Sequence, residues 1–158
     1  SQIMHVRERI ENELAEEDEF KKDFKLGYGG IVDIEFIIQI LQLKYGGKFR
    51  ELRIPNTLKA LNVLENKGIL DKANAGSILS AYKFLRRIEN RLRIMHDTSL
   101  HSFNVTEEEI ESLALRMKYV KEKGKKAGEA LLGEYKGHTE NIRKIYKRIF
   151  KKLLSEKD

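Results

Sequence analysis

Cysteine and tryptophan are absent from the sequence, and proline occurs once in 158 residues. Without cysteine there can be neither a disulfide nor a thiolate metal site. Four scattered histidines do not replace those ligands. No apolar run approaches the roughly 18 uncharged residues that a spanning helix needs, and the N-terminus lacks a charged-then-apolar signal pattern. Export and membrane insertion are therefore not expected, and a cytoplasmic location is. Scarce proline removes the commonest helix breaker and predicts long helices. A chain of this length is about one domain and can bury roughly two-thirds of the surface its unfolded form exposes.

Charge is plentiful but mixed. The 31 basic side chains exceed the 25 acidic ones by six. Clustered Lys and Arg would favour nucleic acid through counterion release. Here both signs are interspersed as on solvated helix faces, so no nucleic-acid partner is expected.

Apolar periodicity predicts an all-α fold, one bundle of about six helices with no strand. A leading helix over 1–17 would bury Ile3, Val6, Ile10 and Leu14, and a Lys/Gly-rich connector over 18–30 would separate it from the bundle at 31–158. The nearly all-apolar run from Ile31 to Tyr45 reads as the central helix, ended by Gly46 and Gly47. Pro55 suits the first turn of a third helix with Leu58, Leu61 and Leu64 inside and Gly68 at its C-terminal cap. Asp71 would cap a fourth helix carrying Ile78, Tyr82, Leu85, Ile88, Leu92 and Met95 at three-four spacing. Thr106 and Glu109 form a capping box for a fifth helix striped by Ile110, Leu113, Met117 and Val120. A last helix over 125–154 follows, its first half weakened by Gly128, Gly133 and Gly137, with His138 in the seam as a hydrogen-bonded core histidine.

Candidate chemistry concentrates between Lys21 and Phe36. Lysines and glycines precede a helix start, whose backbone N–H groups and dipole can hold phosphate, so Lys25, Gly27, Gly29 and Gly30 are candidate nucleotide contacts. The same glycines equally suit a tight turn before a buried helix. Asp33 and Glu35 cannot clamp one metal ion from a helix, because residues two apart point about 200° apart. Asp33 in the first turn also suits the helix dipole. Glu35, Gln39 and Gln42 share one stripe and would find partners in Arg86, Arg87, Arg91 and Arg93. His96, Asp97 and His101 lack convincing metal spacing, and no metal site is expected.

The run from Asp23 to Leu43, with Leu52-Arg53, Asn56-Thr57-Leu58, the stretch Ala81 to Arg93 and the C-terminal Tyr135, His138-Thr139-Glu140, Arg143 and Ile145-Tyr146, resembles the helical domain of glutamine synthetase adenylyltransferase. That resemblance implies a large cytoplasmic bacterial enzyme with two nucleotidyltransferase domains, each followed by a helical domain. One half would transfer AMP from ATP, with Mg²⁺, to a tyrosine of glutamine synthetase, and the other would remove it with phosphate. Glutamine and the PII signalling protein would set the balance. Val32-Asp33-Ile34-Glu35-Phe36 and His138-Thr139-Glu140 resemble the C-terminal half more than the first, and the sister enzyme that uridylylates PII fits less well.

The resemblance implies a domain without a catalytic centre of its own, since the family's Asp-x-Asp pair is absent and Gly76-Ser77 lies in or near a helix. The expected partners are its own nucleotidyltransferase domain, glutamine synthetase and PII, with ATP and Mg²⁺ bound by the parent enzyme and neither by this domain alone. Lys25 would face the triphosphate, and Asp33 or Glu35 would orient a basic group or metal-bound water. The alternative is an interaction module for glutamine synthetase or PII, using Lys147, Arg148, Lys151 and Lys152.

Overall fold

A computed structural model describes residues 2–122 and 124–156, apart from the Ile3 side chain, so the expected burial of Ile3 lies outside the described residues. Six α-helices are described: α1 Gln2–Arg9, α2 Ile31–Tyr45, α3 Thr57–Asn66, α4 Lys72–His96, α5 Glu107–Arg116 and α6 Ala127–Ser155. The predicted central helix is α2. It buries Ile31, Ile34, Ile37, Ile38 and Leu41 and lies against α3, α4 and α6, while α6 also packs on α5. Each such side chain removed from water contributes about 1.5–3 kcal/mol.

The helix ends follow the capping chemistry. Asp71 accepts the N–H of Asn74 at 2.8 Å, and Thr106 accepts that of Glu109 at 3.4 Å. Gly68 takes a positive φ of 66° just beyond α3. Asn56, not Pro55, caps α3, accepting the Lys59 N–H at 2.9 Å, so the proline stands one residue before the cap. Asp97, at φ 51°, ends α4 in the left-handed conformation.

Three expectations need correction. Strands exist: β1 Lys21–Asp23 pairs antiparallel with β2 Ser102–Asn104, Lys22 opposite Phe103. Three-residue strands are too short to show alternation. Phe24 stacks on Phe103 at 6.4 Å, and Phe103 meets Tyr135 edge-on at 5.4 Å, so the ribbon ties the connector to the core. Second, α1 ends at Arg9 and continues as a wider π turn over Ile10–Leu14, in which the Ala15 N–H reaches Ile10 O at 3.1 Å. Its expected apolar stripe is not the inner face: Val6 and Leu14 are exposed and Arg7 is fully buried. The ion pairing described below outweighs the weak apolar stripe. Third, α5 stops at Arg116, which leaves Val120 exposed, and Leu58 stands at the exposed edge of α3.

The α6 glycines differ in kind. A Cβ on Gly128 would sit 2.5 Å from Ile110 Cγ2, whereas Gly133 and Gly137 have open space around theirs. Gly128 is therefore the contact at which α6 meets α5, and α6 runs unbroken through all three. Gly128→Ala should destabilise by about 1–3 kcal/mol through overpacking. Gly133→Ala and Gly137→Ala should each stabilise by up to about 1 kcal/mol. Urea unfolding of the three variants reads the opposite signs directly.

Candidate functional site

The connector closes on itself around Asp23. This carboxylate is fully buried and accepts three backbone N–H groups: Lys25 at 3.0 Å, Leu26 at 2.7 Å and Glu16 at 3.1 Å. His101 Nδ1 lies 3.1 Å from its second oxygen. The loop then donates Gly27 N–H to Asp23 O, Tyr28 N–H to a Glu17 carboxylate oxygen at 2.9 Å, Gly29 N–H to Asp33 at 2.9 Å and Gly30 N–H to Gly27 O. Ile31 and Val32 donate to Phe24 O and Lys25 O at 3.0 Å each. Every backbone N–H from Lys25 to Val32 thus has an acceptor inside the chain.

The glycines are needed for space. A Cβ on Gly29, whose φ is 65°, would fall 1.9 Å from Thr139 O on α6, and one on Gly27 would fall 2.4 Å from Asp23 O. A Cβ on Gly30 would meet Phe24 O at 2.8 Å. The N–H groups that a phosphate cradle would offer thus have acceptors within the chain. Gly27, Gly29 and Gly30 let the loop approach α6, and carboxylates of Glu17 and Asp33 already occupy the N–H positions an external anion would take. Lys25 is half-buried, and its ammonium has no ion pair or hydrogen bond among the described residues.

Asp33 binds more than its helix start. Buried completely, it accepts Arg7 Nε at 2.5 Å and Arg143 Nη1 at 3.0 and 3.3 Å from its two oxygens, besides the Gly29 N–H. Arg7 Nη2 donates to Gly27 O at 2.9 Å. Glu11 completes the cluster: its Oε2 lies 3.5 Å from Arg7 Nη1 and 2.8 Å from Arg143 Nη2, paired by charge but off the hydrogen-bonding direction. Two arginines and two acids balance. The Arg143 guanidinium also lies between the rings of Tyr28 at 5.2 Å and Tyr146 at 5.1 Å. Burial alone would lower the Arg143 pKa, but the Asp33 and Glu11 charges outweigh it and raise it. Burial, then the Asp33 charge, pushes the Tyr146 hydroxyl up to about 12.

Glu35 faces elsewhere, as a helix requires of residues two apart. It pairs with Arg86 at 3.2 Å, and Arg86 also holds Glu89 at 2.7 Å and the Tyr82 hydroxyl at 3.1 Å. The remainder of the expected network does not assemble. Gln42 donates to Leu52 O and Ile54 O, Arg87 to Met117 O, and Gln39 and Arg91 are exposed without a hydrogen bond among the described residues. His138 packs on Phe84 at 4.8 Å, with Nε2 3.5 Å from Glu134 and no side-chain hydrogen bond among the described residues. No group of three or more His, Asp or Glu that could hold a metal ion occurs among the described residues.

Outside the loop lies a groove of about 530 Å³, lined by Glu17, Lys22, Tyr28, Tyr135, Lys136 and Thr139 among others. The Tyr135 hydroxyl is buried without a hydrogen-bond partner among the described residues. Burial, then the Glu17 and Asp23 charges, raises its pKa. Burial likewise raises Glu17, against the lowering effect of the Tyr28 N–H.

Sequence reasoning missed Arg7, Glu11, Glu17 and the structural part of Asp23, and it noted Arg143 only as part of a resemblance. The one local signal was the four-residue spacing of Arg7 and Glu11. Nothing in α1 marks Arg7 as inward.

A family model described as GlnD PII-uridylyltransferase matches residues 4–150. The chain belongs to this family. Relatives carry the other name that the sequence suggested. A bifunctional glutamine synthetase adenylyltransferase/adenylyl-removing enzyme from Xanthomonas campestris pv. campestris (strain B100) is 42% identical over 97 residues, 61% of this chain and 10% of that protein. The protein of the same name from Xanthomonas oryzae pv. oryzae (strain MAFF 311018) is 38% identical over 117 residues, 74% of this chain and 12% of its own. That from Mycobacterium marinum (strain ATCC BAA-535 / M) is 28% identical over 159 positions, 99% of this chain and 16% of its own. The chain thus spans between 10% and 16% of the length of these relatives.

Asp33→Asn should cost about 3–5 kcal/mol, because it leaves two buried guanidinium groups facing a neutral amide. Glu35→Gln, at a half-exposed pair, should cost no more than about 1 kcal/mol. Urea midpoints of the two variants compare them. Glu17 adds a pH signature. Its folded pKa lies above the unfolded value, so its favourable contribution is present below the unfolded pKa and is lost as pH rises through the folded one. The stability of Glu17→Gln relative to the natural chain should therefore climb with pH from the ordinary glutamate range upward, then level off. A pH-independent difference in urea titrations would contradict this assignment.

Proposed function

We propose that this chain is the helical domain of a glutamine synthetase adenylyltransferase, docked against the enzyme's nucleotidyltransferase module. In this reading the Asp23 loop lies toward the nucleotide site of that module, which belongs to the C-terminal half. The name of the relatives supplies glutamine synthetase as the protein acted on. The other proposed partner is PII, and the proposed setting is the cytoplasm, in keeping with the lack of any described helix long and apolar enough to cross a membrane.

The observation that carries the reading is the rigid presentation of Lys25. Asp23 binds the Lys25 N–H itself, the glycines fix the loop on α6, and the Lys25 ammonium is left unpaired among the described residues. A positive charge held in the loop before α2, whose backbone N–H groups are all taken, suits a charge-assisted contact with a triphosphate on a neighbouring surface.

The residues present do not fit a bound magnesium ion or a triphosphate of their own. Asp33 is saturated by Arg7, Arg143 and Gly29, Glu35 faces Arg86 on another side, and the loop N–H groups are occupied. Mg²⁺ and ATP are accordingly proposed as ligands of the neighbouring module, which would do the chemistry, and this chain alone is proposed to be inactive. Asp33 and Glu35 would act at a distance, by keeping α1, the loop and α6 in fixed register.

In the full-length enzyme, Lys25→Ala should reduce AMP transfer to glutamine synthetase about 10–100-fold, the value of one charge-assisted contact of about 1.5–3 kcal/mol. The loss should be largest at low ATP, with the melting temperature unchanged. Unaltered turnover at both low and saturating ATP would remove Lys25 from the site.

A further inference from the structure

Charge is distributed unevenly along this chain. From Asn141 to Ser155 there are six basic residues and no acidic one, and the rest of the sequence has equal numbers of each sign. The last four turns of α6 thus carry a net of six positive charges, and α4, with six basic residues against Glu89, carries a net of five over 25 positions. Arg143 is used internally by Asp33 and Glu11. The other five, Lys144, Lys147, Arg148, Lys151 and Lys152, are all exposed and form no ion pair among the described residues. Elsewhere some cations pair, as Arg9 does with Glu13, Lys67 with Glu51 and Arg86 with Glu35. On α4, Lys72, Lys83, Arg87, Arg91 and Arg93 form no ion pair among the described residues, but they are spread over 22 positions rather than nine.

Helix-dipole stabilisation does not account for this row. It falls off within the last turn, whereas Lys144 and Lys147 stand two to three turns before the C-terminus of α6. The five Cα positions span about 12 Å along the axis. Their steps of three and four residues place them on neighbouring turns of one face. The opposite face, with Ile142, Ile145, Tyr146 and Phe150, is buried in the bundle.

We propose that this outer face of α6 is a docking surface for an acidic protein surface, most simply a helix carrying Asp or Glu at the same three-four spacing. With Ile142, Ile145, Tyr146 and Phe150 buried, Leu154 is the one large apolar side chain exposed in this stretch, too little to enter a lipid interface. Tyr146 and Phe150 are also the only aromatic rings in this stretch, and both are buried, so no platform exists for stacking bases. Four of the five cations are lysines, point charges suited to steering carboxylates, whereas phosphate recognition favours the bidentate arginine fork. This surface begins more than a turn beyond Thr139, where α6 meets the glycine loop, and does not require the docking role proposed for Lys25.

The test uses this chain with fluorescent poly-L-glutamate as the acidic probe. Single-stranded DNA of equal charge and phosphatidylserine vesicles serve as competing anions. Poly-L-glutamate should bind at low salt and weaken steeply as salt rises. The double variant Lys147→Glu/Lys151→Glu should weaken it at least about tenfold, with the helical circular dichroism unchanged. Lys72→Glu/Lys83→Glu, which reverses two exposed charges on α4, should leave it within about twofold. The proposal is overturned if poly-L-glutamate fails to bind, if both double variants weaken it equally, or if DNA or vesicles bind more tightly at matched salt. Since the readout is binding and Lys25 is untouched, failure here is distinct from failure of the transferase reading.

Discussion

A buried carboxylate with two arginines in a low-dielectric interior holds the ends of this fold together. Asp33 belongs to the central helix, Arg7 to the leading one and Arg143 to the last. Removing each ion from water costs several kcal/mol, and the mutual attraction repays that only with good geometry and further hydrogen bonds. Both conditions are met, since Asp33 also accepts the Gly29 N–H and Arg7 also donates to Gly27 O. Such a cluster is weak in net stability compared with an apolar replacement but unforgiving of register. A slip of one residue in α1 would turn Arg7 off the inner face, bring Val6 or Glu8 toward Asp33 and leave that buried carboxylate short of a partner.

The glycine loop derives its form from the same cluster. A loop before a buried helix must satisfy its donors, and this one does so with carboxylates of its own chain, Asp23, Glu17 and Asp33, together with its own carbonyls. The arrangement resembles anion binding at a helix start with the anion supplied internally. Gly29 then lies against Thr139 with no space for a side chain, so the loop, α6 and Arg143 are positioned together. Lys25, whose ammonium has no ion pair among the described residues, is consequently carried on a loop fixed at both ends by buried groups.

Much of the fold could be read from the sequence because long apolar stripes leave little choice. Ile31–Tyr45 had to be central, the α4 stripe Ile78, Leu85, Ile88 and Leu92 had to face inward, and Asp71 and Thr106 cap as their spacing implies. What was not legible depends on partners distant in sequence. Arg7 outranks Val6 and Leu14 for the inner face of α1 only because Asp33 waits 26 residues later. Three-residue strands pair because Phe24 and Phe103 share the core, and neither strand has a period to detect. The loop showed its lysines and glycines plainly but hid the acceptors that fill its N–H groups, two of which come from Glu17 and Asp33 on either side.

Charge pairing separates the two kinds of polar surface on this molecule. Where acids stand beside bases, as around the connector and at Glu35, Arg86 and Glu89, the side chains neutralise one another and mainly fix local geometry. On the last turns of α6 no acid is within the helix to do so, and Glu156 just past its end is held by Lys44 of α2. A mixed surface screens itself at short range, but an unbalanced one projects a field over about a Debye length, roughly 8–10 Å at moderate salt. The first can shape a domain without attracting anything. The second raises the encounter rate of whatever opposite charge approaches, and its face lies on the helix that Arg143 anchors to the buried core.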